Sequence, residues 1–213
     1  MSDLSNYKYF KHFKSPIMDY IDEHYNNLKT DFFNNIAQSR LLGNKPAYTF
    51  SNGVTELYRG KIQSVGLKFS KIAIDDDEKR IMQWGDKEEY RYNYNRAWSK
   101  LTGDWVNFVK TFDNQLEQMF FNIAWPGATI TPHKGINSRY FRVHVCLQEN
   151  DGFHFDIEGE KKYWKEGVKH AFAFDDANLK HGVFYNEQHN PNPRVVAILD
   201  VKKEYYPELF GTI

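Results

Sequence analysis

The chain has 213 residues, is 41% hydrophobic and 26% charged, and carries 17 Phe, 14 Tyr and 5 Trp, enough aromatic surface for a packed core. Its 28 Lys and Arg balance 28 Asp and Glu, so no basic excess favours a nucleic-acid partner. A single cysteine, Cys146, excludes an intrachain disulfide. With no run near the roughly 20 apolar residues of a membrane span and no apolar leader in residues 1–10, the expectation is a soluble, cytoplasmic protein without a membrane partner.

Ser15-Pro16 reads as a helix start, with Ser as N-cap and Pro at the first helical position. Ile17, Met18, Ile21, Tyr25, Leu28, Phe32 and Ile36 then recur at helical spacing, which predicts a helix over about 16–38. Gly43-Asn44-Lys45-Pro46 breaks it. Residues 54–74 fit one or two strands. The charged stretch 75–97, opening Asp75-Asp76-Asp77-Glu78-Lys79-Arg80, reads as a solvated loop or helix; it lacks the glycine turn of a calcium loop. Asp104 could cap a second helix whose stripe is Trp105, Phe108, Val109, Phe112, Leu116 and Met119.

Beyond Phe120 the pattern changes to short β-prone runs at 121–125, 129–132, 140–148, 154–157, 170–174, 181–185 and 194–201. Turn signals separate them, among them Pro126-Gly127, Glu158-Gly159-Glu160 and Asn190-Pro191-Asn192-Pro193. Asn150-Asp151-Gly152 between two such runs predicts a β-hairpin. Seven or eight short strands imply a sandwich or jelly roll. The expected organisation is a single domain over 1–213, mainly β with N-terminal helices. A helical part, 1–117, packs on a jelly-roll core, 118–205.

Of eight histidines, His12, His24 and His189 lie in polar contexts and read as ordinary surface or satisfied core residues. His133 ends a β-prone run, and His181 follows an apolar run and an acidic turn. On neighbouring strands the two could hold a first-row divalent metal and leave coordination positions open. Arg142 and His144 are two apart, which places them on one face of a strand. Arg194 opens the last strand at a barrel mouth. Two arginines pointing inward need anions, either a ligand with two carboxylates or acidic side chains across the sheet. The residues alone leave both open.

Residues 126–201 resemble the aspartyl/asparaginyl β-hydroxylase family of non-haem iron(II), 2-oxoglutarate-dependent oxygenases. The resemblance runs through Pro126-Gly127, Pro132-His133-Lys134-Gly135, Arg142-Val143-His144, Trp164-Lys165-Glu166-Gly167, Phe174-Asp175-Asp176, His181, and Arg194 ahead of Leu199-Asp200-Val201. It implies a double-stranded β-helix (jelly-roll, cupin-like) core. It also implies Fe(II), 2-oxoglutarate as cosubstrate and O2. His133 and His181 would be the iron ligands and, with Arg142, the catalytic set. Arg142 and His144 would meet the inner carboxylate of 2-oxoglutarate, and Arg194 its distal one. Asn122 replaces the family's small hydroxyl residue there and can still donate a hydrogen bond. Gly135 stands where most such oxygenases have the third, carboxylate ligand, so water or another small ligand would complete the coordination. Asp175 and Asp176 are expected as turn or supporting residues, and Trp164 and Phe174 as core.

The implied activity is hydroxylation of an unactivated C–H bond, of an amino acid or of an Asp- or Asn-type residue in a peptide. Two rivals remain. A glycine in place of the carboxylate leaves room for a halide, as in halogenases of the wider superfamily. A non-catalytic jelly-roll binding module would need the histidine pair or Arg194 broken, and both are intact.

Overall fold

A computed structural model describes residues 10–11, 13–36, 58–60, 62–68, 103–135, 138–186 and 190–210. The stretches read above as a breaker at 43–46 and a charged segment at 75–97 lie outside them, as do His12 and His189.

Helix α1 (Pro16–Asp31) starts where the N-cap signal puts it. The Ser15 side-chain oxygen accepts the Met18 N–H at 3.1 Å, and Pro16 opens the first turn. Ile17, Met18, Ile21, Tyr25 and Leu28 form its buried stripe, which runs on through a π-helical turn (Phe32–Ile36) with Phe32 and Ile36 inward. Helix α2 (Asp104–Thr111) is capped differently from the expectation. Its N-cap is Gly103, Asp104 lies in the first turn, and the cap comes from outside the helix. The buried Asp31 carboxylate accepts the Trp105 N–H at 2.9 Å, and the Trp105 indole donates to the Leu28 carbonyl at 2.7 Å. Asp31→Ala removes this cap and orphans a buried donor. It should lower the unfolding free energy by about 1–3 kcal/mol in a urea titration, with Asp31→Asn recovering most of the loss.

The helical stripe expected to run to Met119 stops at Thr111, and Leu116 and Met119 belong to strand β4 (Leu116–Ala124). The physical reason is a bulge. Asp200 pairs with Gln118 but Val201 with Leu116, so Glu117 is the extra residue and positions three apart share one face. That spacing imitates a helix. Residues up to 117 are also not purely helical. Strands β1 (Phe10–Lys11), β2 (Tyr58–Arg59) and β3 (Ile62–Lys68) join the sheets, and β3 pairs along β4.

The other strands are β5 (Thr129–His133), β6 (Tyr140–Gln148), β7 (Phe153–Ile157), β8 (Glu160–Lys162), β9 (Phe172–Phe174), β10 (His181–Tyr185) and β11 (Arg194–Lys202). One sheet has the order β1-β9-β6-β11-β4-β3, the other β2-β5-β10-β7-β8, and every pairing is antiparallel. From β4 onward the chain crosses between sheets at each connection except one. That winding is a double-stranded β-helix, so the mainly β, jelly-roll expectation stands. The exception is the β7–β8 hairpin, whose two-residue loop Glu158-Gly159 has φ of 51° and 85°. Two positive φ values mark a type I′ turn and explain a glycine in the second position.

The hairpin expected at Asn150-Asp151-Gly152 is not formed. Strands β6 and β7 lie in different sheets. The segment is still a turn: the Asn150 side-chain oxygen accepts the Gly152 N–H at 2.9 Å, and the Asn150 carbonyl the Phe153 N–H at 3.0 Å. Turn chemistry reverses the chain locally but does not choose which sheet receives the next strand.

Strand β11 of the larger sheet is buried on both faces, which is why it reads as a nearly unbroken apolar run. Val195, Ala197, Leu199 and Val201 face α1 and α2, together with Phe141, Val143, Val145, Leu147 and Phe121. Val196, Ile198, Cys146 and Ala124 face the space between the sheets, against Phe153, Phe155, Trp164, Phe172 and Phe174. The polar residues described next share the phase of this second set. No described helix is long and apolar enough to cross a membrane.

Candidate active site

His133 ends β5, His181 begins β10, and the two are register partners with ring centroids 4.4 Å apart. Each Nδ1 lies against the carbonyl of the residue two positions earlier, Thr131 at 2.9 Å and Leu179 at 2.8 Å. A carbonyl can only accept, so each Nδ1 carries a hydrogen, and the Nε2 of a neutral ring then keeps its lone pair. This is how metal-ligating imidazoles are oriented. Burial, reinforced by the neighbouring His181, pushes the His133 pKa down to about 4, so its ring is neutral at physiological pH, as a metal ligand must be.

Asp176 completes this corner. It is 1% exposed, and its Oδ1 lies 3.1 Å from the His181 Nε2 and 2.7 Å from an Arg142 Nη. Burial opposes its charge, but Arg142 and His181 outweigh that and hold the carboxyl well below the usual range. At this distance either an N–H of His181 donates to Asp176 or a metal cation lies beside both. The two imidazoles fit a pair of ligands to a first-row divalent metal, while among the described residues no group of three His, Cys, Asp or Glu side chains is arranged to hold one. Gly135 is required beside Asp176. A Cβ at position 135 would lie 1.7 Å from the Asp176 Oδ2, and the Gly135 N–H donates to the Asp176 carbonyl at 2.7 Å. Asp176, expected as a turn or supporting residue, thus packs against Gly135 and between Arg142 and His181.

Arg142 on β6 is held by two acids. Its Nε and an Nη donate to Asp200 of β11 at 2.7 and 3.0 Å, and its other Nη donates to Asp176. Burial works against its charge, but the two carboxylates raise its pKa well above normal. Burial pushes the Asp200 carboxyl up against the pull of Arg142, and Gln118 of β4 also donates to Asp200. Asp200 carries no role in the sequence reading beyond its place in Leu199-Asp200-Val201, and Gln118 has none. The available signal was phase, since Asp200 shares the alternation of Arg194, Val196 and Ile198.

His144, two residues beyond Arg142, lies among Phe155, Phe172, Phe174 and Trp164. Burial, followed by the charges of Arg142 and Arg194, drives its pKa well below normal. The Trp164 indole nitrogen lies 3.3 Å from its Nδ1. Arg194 is 1% exposed and donates to the Asn122 side-chain oxygen. Its Nε has no hydrogen-bond partner, and no carboxylate among the described residues forms an ion pair with it. Aromatic faces flank it instead: Trp164, whose ring centroid lies 4.1 Å from the guanidinium carbon, and Phe153 at 5.6 Å. Burial pulls its pKa down to about 10. A buried cation without an acid is costly, and a ligand carboxylate is what would complete it. The chain thus brings all six expected residues, Asn122, His133, Arg142, His144, His181 and Arg194, between its two sheets.

The family model for aspartyl/asparaginyl β-hydroxylase matches residues 70–204, well over half of the chain. The human aspartate β-hydroxylase domain-containing protein 2 is 34% identical over 80 residues, 38% of this chain and 21% of the relative. Its mouse counterpart gives the same identity over 22% of its length, so the match spans about a fifth of these relatives. Among solved structures, a Pseudomonas putida prolyl-4-hydroxylase has 16% identity and a TM-score of 0.49, covering 94% of this chain and 95% of its own. A 2OG-Fe(II) oxygenase family oxidoreductase from Burkholderia pseudomallei has 14% identity and a TM-score of 0.42, covering 91% and 94%.

Proposed function

The chain belongs to the aspartyl/asparaginyl β-hydroxylase family, and from that premise we propose that it is an iron(II)- and 2-oxoglutarate-dependent dioxygenase. Its reaction would hydroxylate an unactivated C–H bond of an amino acid, or of an Asp- or Asn-type residue in a peptide. The observation that carries this reading is the pairing of two sites in one interior. A pre-oriented histidine pair lies on the smaller sheet, and a buried arginine without an acid among the described residues lies on the larger.

His133 and His181 would hold the iron through Nε2, with Asp176 beside it. Arg194 and Asn122 would take the distal carboxylate of 2-oxoglutarate, and His144 would donate to the inner one. Arg142, already on Asp176 and Asp200, would supply positive charge beside the inner carboxylate. When bound, iron and 2-oxoglutarate supply the oxidising chemistry, consuming O2 and releasing succinate and CO2 as hydroxyl is delivered to the substrate. The chain's own work is to orient, to neutralise charge and to exclude water. The aromatic wall of Phe155, Phe172 and Phe174 provides the dry side. Cys146, buried with its thiol pushed up to about 12 mainly by burial, is not needed as a nucleophile. An unpaired buried cysteine also suits the cytoplasmic setting included in this proposal.

The halogenase alternative is disfavoured. The space beside Gly135 holds the Asp176 carboxylate, whose charge would repel a halide. The deciding experiment is succinate formation by iron-reconstituted protein over a panel of free amino acids and Asp- or Asn-containing peptides. Iron-dependent turnover is expected with at least one member of the panel. His133→Ala should lower it by about 100-fold or more, in line with the loss of an orienting and ligating group. Equal turnover by the variant and the wild type would sink the oxygenase reading, and succinate-free binding of a peptide would favour the binding-module alternative.

A further inference from the structure

Trp164 lies in the connection between β8 and β9, is 4% exposed, and reads from sequence as a core residue. Its contacts are of another kind. The indole Nε1–H lies 3.3 Å from the His144 Nδ1, and the guanidinium of Arg194 sits over its ring, 4.1 Å from the centroid. One side chain therefore touches two of the residues assigned to 2-oxoglutarate, one for each end of the acid.

We propose that Trp164 is the positioning residue of the cosubstrate site, fixing the tautomer of His144 and the placement of Arg194 so that the site selects a keto diacid of one length. This rests on the functional reading above. An indole N–H can only donate, so the His144 Nδ1 must be the acceptor and its hydrogen must lie on Nε2. That leaves Nε2–H as a donor for a carboxylate. The opposite tautomer would present a lone pair to the carboxylate and repel it. At the other end, Arg194 lacks an acid among the described residues, and its contacts are Asn122 and aromatic faces. A tryptophan face is the strongest of the aromatic cation sites. Because one rigid ring braces both groups, the separation between the two carboxylate-binding ends is fixed by a single side chain. A looser brace should accept acids of other lengths.

Three measurements on the full chain test this. The first is the His144 tautomer by 15N NMR in metal-free wild type and Trp164→Phe. The wild type should show Nδ1 bare and Nε2 protonated, and the variant, which keeps an aromatic face but lacks the N–H, should show a mixture. The second is calorimetric binding of 2-oxoglutarate to manganese-loaded protein, where Trp164→Phe should bind about 5- to 10-fold more weakly, as expected for one lost hydrogen bond. Trp164→Leu, which also removes the face over Arg194, should lose about 100-fold. The third is the affinity ratio of 2-oxoglutarate to 2-oxoadipate, one carbon longer, which should fall in both variants.

A wild type that binds no 2-oxoglutarate overturns the functional reading and this inference with it. A wild type that binds, with a Phe variant unchanged in tautomer, affinity and length preference, overturns the role of Trp164 alone. A variant with a lower melting temperature but those three properties intact makes Trp164 a core residue only, and equally overturns the proposal.

Discussion

Replacing Arg194 with methionine should leave the metal-free protein within about 1 kcal/mol of wild-type stability, or more stable, while weakening 2-oxoglutarate binding by about 10²–10³-fold. The two halves of this result come from one fact. Arg194 is buried without an acid among the described residues, and its Nε is unsatisfied. In the absence of ligand it is a cost to the fold, and an apolar side chain of similar length relieves that cost, though Asn122 loses its donor. With ligand, the same side chain is the partner of a buried carboxylate, and truncating one member of such a pair costs several kcal/mol. Thermal unfolding of the metal-free protein and calorimetry with 2-oxoglutarate check the two halves separately. Arg194→Lys keeps the charge without the planar fork and should fall between. A methionine variant that unfolds easily yet binds normally would show that Arg194 is a structural cation.

Supplying the carboxylate that position 135 lacks should do harm. Gly135→Asp would put a Cβ 1.7 Å from the Asp176 Oδ2, and a second negative charge against the first. The backbones on both sides are tied by the Gly135 N–H to the Asp176 carbonyl, so neither can retreat cheaply. Overpacking of this kind costs about 1–3 kcal/mol, and metal affinity should drop by at least about 10-fold as Asp176 is pushed off His181. Removing the obstruction should reverse the effect. In the double variant Gly135→Asp with Asp176→Gly, a carboxylate again stands beside the histidine pair, and manganese affinity measured by calorimetry should recover most of the loss. A single Gly135→Asp variant that binds metal as tightly as the wild type would mean that Asp176 is not confined to this space.

The site was more legible in the sequence than the fold around it, and the reason is alternation. Arg142 and His144 are two apart on a strand, so a shared face follows from the period alone, and Arg194 opens the strand that pairs with theirs. The histidine pair came from the position of each residue at a strand end, and the register places the two opposite each other. Asp200 gets no role from sequence because an acid near the end of an apolar run looks like a boundary. Trp164 escaped because aromatic residues are core by default, and a hydrogen bond to His144 has no sequence signature at a separation of 20 residues. Leu116 and Met119 were assigned to the wrong element because a bulge at Glu117 gave a strand the spacing of a helix. Asn150-Asp151-Gly152 makes the expected turn but no hairpin, because partner choice depends on the winding of the whole barrel.

The two kinds of histidine in this interior differ in how far they can withstand mutational drift. His133 and His181 take their Nδ1 hydrogen position from main-chain carbonyls two residues back. Those acceptors are main-chain atoms, present whatever residues stand at 131 and 179, so substitution there cannot delete them. His144 takes its pattern from the side chain of Trp164, and one substitution removes it. Among diverged copies of this chain, metal binding should therefore outlast selectivity for the cosubstrate. A lineage that relaxed its choice of keto acid would be expected to change position 164 while leaving the histidine pair untouched.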